Sequence, residues 1–214
     1  MTENKKKDLL IELHYFPCVI YFTLLKNYNT IFFEAEEHFI KQTYRNRTYI
    51  LTSNKIDRLS VPIVHEDKKK PLKLLRIDYK QKWQQRHWRA IRTAYSKAPF
   101  FEYYAFMFEK EIFTGYEKLW DLNTAVMTLC LKMLDINVLL RQTDKFYKAD
   151  SVDSSIYMDA RNKITPDLNN GTIHVKPYNQ MFSSTFIKNL SILDLLFNEG
   201  PSSKKIIEES KIKI

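Results

Sequence analysis

The chain has 214 residues and a formal net charge of +9, with 44% hydrophobic and 28% charged residues, a balance that suits a folded protein with a real core. Three glycines set against 14 Phe and 13 Tyr leave neither G-x-G-x-x-G nor G-x-x-x-x-G-K-[ST], so nucleotide chemistry on a dinucleotide turn or a P-loop is close to excluded. The only cysteines, Cys18 and Cys130, form no C-x-x-C, which removes a zinc ribbon or dithiol site and fits a reducing compartment.

In chain order, Lys5-Lys6-Lys7 precedes an apolar run from Leu9 to Leu13. Asp8, Glu12 and His14 interrupt it as no secretory segment would tolerate, and no stretch is long enough to span a membrane. The expected location is therefore the cytoplasm. Pro17 sits where a helix can begin, with Val19, Tyr21, Phe22 and Leu25 following at helical spacing. Ile31-Phe32-Phe33 reads as a strand closed by the acidic stretch Glu34 to His38. Arg47–Thr52 and Leu59–Val64, separated by Ser53-Asn54-Lys55, predict a hairpin.

Tyr79 to Ala98 is the clearest helix, with Asp78 as cap, Gln81 reaching back and Pro99 as stop. Trp88, Ile91, Tyr95 and Ala98 share one side of it, while Lys82, Arg86, Arg89 and Lys97 occupy the other. Helices follow at 100–114 and 119–134, then a strand at 136–140. Residues 142–171 lose periodicity and read as a long loop or lid. In the tail, Ser191 is an N-cap with Asp194 as capping-box partner, and Gly200-Pro201 end the helix. The chain is expected to form a single domain.

Charge is unevenly spread. Between Glu66 and Lys97 lie eleven Lys and Arg against three acids, a basic face that attracts nucleic acid, anionic lipid or a phosphorylated substrate unless it is simply solvated. The other cationic feature is Tyr44-Arg45-Asn46-Arg47, where two guanidiniums flank an amide just ahead of a strand. Alternation would place Arg45 and Arg47 on one side, a candidate clamp for a carboxylate or phosphate.

Several of these pieces together resemble the WbqC-like protein family of bacteria. The matching residues are Tyr15-Phe16-Pro17 with Tyr21-Phe22, Phe39-Ile40-Lys41 leading to Tyr44-Arg45-Asn46-Arg47, Leu59-Ser60-Val61-Pro62, Trp83, His87, and Tyr95 to Phe101. The tail from Phe186 to Pro201 resembles the shorter, Bacteroidetes-type members. Glu12-Leu13 stands where members often carry Gln-Pro, and Cys18-Val19-Ile20 where they often carry Trp-x-Gly.

The family's association with O-antigen gene clusters implies a cofactor-independent transferase of surface polysaccharide assembly, moving an acyl or aminoacyl group to an amino sugar. On that reading Tyr15, Lys41, Arg45, Asn46, Arg47 and Tyr95 hold an anionic sugar-nucleotide or acyl substrate. His14 or His87 moves protons, and Glu36 is a further candidate base. Cys18 at a helix start is a weaker candidate nucleophile, and Glu36, Glu37 and His38 lack the second ligand pair that a metal needs. The alternative is a binding module without catalysis, using the basic helix for nucleic acid or an acidic partner. The expected fold is α/β: a mixed sheet from the N-terminal third, packed by helices, with the C-terminal segment folding back as a cap.

Overall fold

Leu9, Leu10 and Ile11 offer no polar side, and a short strand of that kind belongs in a sheet covered on both faces. In the computed structural model, which describes residues 7–167 and 173–213, this run is β1 (Asp8–Ile11) at the interior of a four-stranded sheet. Its order is β5-β2-β1-β6, with β2 Thr30–Phe33, β5 Leu139–Gln142 and β6 Tyr157–Asp159. Every pairing is parallel, with Leu9 opposite Ile31 and Met158, and Ile31 opposite Leu140. Helix α1 (Val19–Leu25) makes the crossover from β1 to β2 and is buried on all sides, its one hydroxyl residue, Thr23, bonded back to the Val19 carbonyl.

The predicted hairpin is present as β3 (Arg47–Leu51) and β4 (Ile56–Ser60), antiparallel with Arg47 opposite Ser60 and Leu51 opposite Ile56, its second strand starting three residues earlier and ending four earlier than expected. The α/β class holds, with strands of both directions. Two of the four sheet strands, β5 and β6, come from beyond the N-terminal third. The second lies inside the stretch read as a long loop, which also carries a 3-10 turn at Ala149–Ser151. Lys5, Lys6 and the part of that stretch spanning 168–171 fall outside the described residues.

Helices α3 (Phe101–Phe113) and α4 (Leu119–Met133) match their predicted spans to within a residue. Helix α2 is shorter than its periodicity implied, running Trp83–Tyr95. Asp78 does not cap it. Its Oδ1 accepts from the Lys80 amide at 2.9 Å, closing a local turn, and the Tyr79 hydroxyl is drawn away to the Tyr116 carbonyl at 2.7 Å. Short-range side-chain-to-backbone bonds of this kind compete with helix initiation. The strand predicted at 136–140 starts three residues later, after Asp135 takes a left-handed turn at φ 51°.

The C-terminal segment does fold back. Ser191, capping α5 (Ile192–Glu199) through its Oγ, donates its amide to the Tyr49 carbonyl. The Ile192 amide reaches Pro17, and Leu190 accepts from Val19. Asp194 spends its side chain on Tyr95, Tyr178 and Gln180 rather than on a capping box. Helix α6 (Ser203–Glu209) follows, then β8 (Lys211–Ile212) pairs with β7 (Ile173–His174). One hydrophobic cluster joins β1, α1, β2, the hairpin and the helices.

Candidate functional site

All four parallel strands end at the same edge of the sheet, and polar residues lie within the first few positions after each. Glu12 and His14 follow β1, Glu34 to Glu37 follow β2, Thr143 and Tyr147 follow β5, and Arg161 and Asn162 follow β6. The chain leaves β1 toward β2 and β5, then returns to β6 on the other side of β1. Ligands of open α/β sheets bind outside the carboxyl ends of strands at such a reversal.

Burial is nearly complete there. Glu12, His14, Glu34, Glu37, Arg45 and Asn123 are each 4% exposed or less. Charges so placed persist only when paired and hydrogen-bonded. Arg45 gives a two-pronged pair to Glu37, Nε to Oε1 at 2.7 Å and Nη2 to Oε2 at 2.5 Å, and Nη2 also donates to Asn162 Oδ1 at 2.9 Å. The Asn162 amide donates to Glu12 Oε2 at 2.9 Å, and His14 Nε2 meets Glu12 Oε1 at 3.0 Å. Beside them Arg161 reaches Glu34 at 2.9 Å and Asp159 at 2.7 Å, and the Thr143 hydroxyl donates to Glu34 at 2.7 Å.

Proton positions follow from these surroundings. Burial works against a charged Glu12, but the hydrogen bond from His14, the Arg45 guanidinium and the Asn162 amide outweigh it and hold the carboxyl below its ordinary value. Burial lowers the His14 imidazole, with Arg45 adding to that and Glu12 opposing. His14 is therefore neutral, with Nε2–H donating to Glu12 and Nδ1 bare. Nδ1 is buried without a hydrogen-bond partner among the described residues, as are Arg45 Nη1 and Asn123 Oδ1 in the same region. Burial pushes Glu37 up, against the pull of Arg45.

Two hollows flank this cluster. One, of about 290 Å³, is lined by Glu37, Tyr147, Asp159, Arg161 and Asn162, with the exposed Phe146 ring lying 5.8 Å from the Arg161 guanidinium. The other, of about 400 Å³, is lined by Tyr44, Tyr49, Pro166, Asp167, Lys188 and Asn189. His14 lies between their walls: its ring centroid is 5.3 Å from that of Tyr44, and Glu12 ties it to Asn162. Residues 160–167 run from one hollow to the other.

The residues singled out from sequence scatter over this frame. His14 and Arg45 enter the cluster. Arg45 and Arg47 form no common grip, because Arg45 turns inward to Glu37 while Arg47 stays half-buried in β3. Lys41 is exposed, and Asn46 is held by a bond from Nδ2 to the Val61 carbonyl at 2.8 Å. None of Lys41, Asn46 and Arg47 lines either hollow. Glu36 pairs with Lys73. His87 has both nitrogens engaged, Nδ1 by the Tyr15 hydroxyl at 3.0 Å and Nε2 by the Ser60 carbonyl at 3.2 Å. A carbonyl only accepts, so Nε2 carries the proton, and burial holds the imidazole neutral at about 4. Tyr15 and His87 thus serve each other. Tyr95 donates to Asp194 at 3.0 Å in a separate buried site.

Cys18 is fully buried, and burial raises its thiol to about 12, the opposite of an activated nucleophile. No group of three or more His, Cys, Asp or Glu suited to a metal occurs among the described residues. Among those residues no helix is long and apolar enough to cross a membrane. Sequence reading missed Glu12, Glu34, Asn123, Asp159, Arg161 and Asn162 as members of the cluster, and weighed Glu37 only as a metal ligand or base. The available signal was an acid directly after each of two apolar strands, at Glu12 and Glu34.

The model of the WbqC-like protein family matches residues 13–167 and 160–206. No curated protein and no solved structure matches the chain.

Proposed function

The chain belongs to the WbqC-like protein family, and from that premise we propose that it is a cofactor-independent transferase of bacterial surface polysaccharide assembly, moving an acyl or aminoacyl group to an amino sugar. The supporting observation is the Glu12–His14 pair, set between two hollows at the carboxyl edge of the sheet with Nδ1 bare. The hollow bounded by Glu37, Asp159 and Asn162 suits the amino sugar. Its carboxylates meet an ammonium or hydroxyls, and Phe146 offers a face to the ring. The Tyr44–Lys188 hollow takes the donor, with Lys188 toward negative charge.

In this reading the 160–167 segment lifts to admit substrate. The bound ammonium first loses one proton to solvent; the free amine then attacks the donor carbonyl carbon, and its second proton passes to His14 Nδ1. The carbon–leaving-group bond breaks, and the departing atom takes that proton back. Glu12 stabilises the transient imidazolium and fixes the tautomer, the usual division of labour between imidazole and carboxylate.

The test combines binding and turnover. UDP- and dTDP-linked amino sugars with a free amine are screened by thermal shift, and positive sugars are then incubated with labelled acyl donors. Asp159→Asn is expected to abolish the ligand-induced shift, and His14→Gln to keep the shift while losing transfer. Full transfer by His14→Gln, or a shift that survives Asp159→Asn, refutes the assignment.

A further inference from the structure

Two 13-residue helices, α2 and α3, lie antiparallel at the surface, since Gln84 near the start of one donates to the Ile112 carbonyl near the end of the other at 2.8 Å. Their outer faces differ in charge. On α2 the exposed Arg89 and Arg92 have no ion-pair partner among the described residues. By contrast, three of the seven cations ahead of it are paired, with Lys70 and Arg76 on Asp67 and Lys73 on Glu36. On α3 the outer face carries Glu102 and Glu109 around three uncovered rings, Tyr103 at 73%, Phe106 at 72% and Phe113 at 40% exposure. Large aromatics this exposed on one helix face are unusual unless something covers them.

We infer that a second copy of this chain covers them, as an isologous dimer built on α2 and α3. A two-fold axis lying in the face, parallel to the helices and midway between them, lays α2 of one copy over α3 of the other. Such an axis leaves every residue at its own height along the helices, so the register cannot be adjusted to suit. Taking a rise of about 1.5 Å per residue from the Gln84–Ile112 contact, Glu109 falls about 3 Å from the level of Arg89, and Glu102 about 3 Å from that of Arg92. Phe106 comes within about 2 Å of the Arg89 level, where a guanidinium can lie on its face. Lys110 falls level with Arg86, which is turned aside to Gln81 Oε1 at 3.2 Å. Opposite charges therefore meet on either side of Phe106 without any choice of register.

Charge reversal tests this through sedimentation of the full chain at high micromolar concentration. Wild type is expected to dimerise. Arg89→Glu/Arg92→Glu and Glu102→Lys/Glu109→Lys are each expected to be monomeric, with unchanged circular dichroism. An equimolar mixture of the two restores a dimer, because each reversed face then meets its reversed complement. Phe106→Ala, which alters no charge, weakens the dimer about tenfold or more. A monomeric wild type, or a mixture that stays monomeric, overturns the inference. So does a monomer that binds single-stranded DNA or anionic vesicles through Arg89 and Arg92.

Discussion

Replacing Arg45 by Met strips the guanidinium from a fully buried site and leaves Glu37 to face Glu12 and Glu34 without its partner. Breaking a buried ion pair from one side costs about 3–5 kcal/mol, because the remaining charge is left desolvated. That is a large fraction of a typical stability of about 5–15 kcal/mol. The loss should depend on pH, since Glu37 escapes the penalty by taking a proton. With its folded pKa raised above the unfolded value of about 4.3, its contribution is present at low pH and is lost as pH rises through the folded pKa. Within that window stability falls by about 1.4 kcal/mol per pH unit. Urea unfolding followed by tryptophan fluorescence, repeated between about pH 5 and pH 8, measures both effects. The double change Arg45→Met with Glu37→Gln should recover most of the loss, as no unpaired charge is left at position 37. A single variant within about 1 kcal/mol of wild type, flat across that pH range, refutes the picture of a dry ion pair.

His87, neutral and held at about 4, must charge on acidification. Its folded pKa lies below the unfolded value of about 6.5, so the protein loses up to about 3 kcal/mol from this imidazole as pH falls from 6.5 to 4, and His87→Gln should flatten that limb in urea titrations. Gly200→Ala should cost more than Gly115→Ala in thermal unfolding. Both have positive φ, worth about 1–2 kcal/mol, but an added Cβ at Gly200 would run into the Phe100 ring while at Gly115 it meets open space. Neither thiol should react with Ellman's reagent in the native state, and both should titrate in denaturant, because Cys18 and Cys130 are fully buried.

What could be read beforehand was local. The hairpin announced itself through Ser53-Asn54-Lys55 between β-prone runs, α3 and α4 through apolar spacing, and α5 through Ser191 and Gly200. The core sheet was less legible because its pairings are remote: Asp8 meets Tyr157 and Thr30 meets Leu139, and a strand as short as Tyr157-Met158-Asp159 carries no pattern of its own. The same distance hid the site. Nothing near Arg45 in sequence marks Asn162 as its neighbour, so a pair of nearby arginines reads as a clamp when one of them is a buried strut. His87 shows the same limit: read from sequence as a proton carrier, it has both ring nitrogens taken by Tyr15 and Ser60, partners 72 and 27 residues away.

The partnership of β1 with β6 also bears on biogenesis. Until residue 159 has left the ribosome, β1 lacks one neighbour, and Glu12 has no Asn162 amide to meet it. Contacts that bridge so much sequence close slowly. A nascent chain stalled before that point should therefore expose apolar surface to holdase chaperones, with the cleft the last feature to take shape.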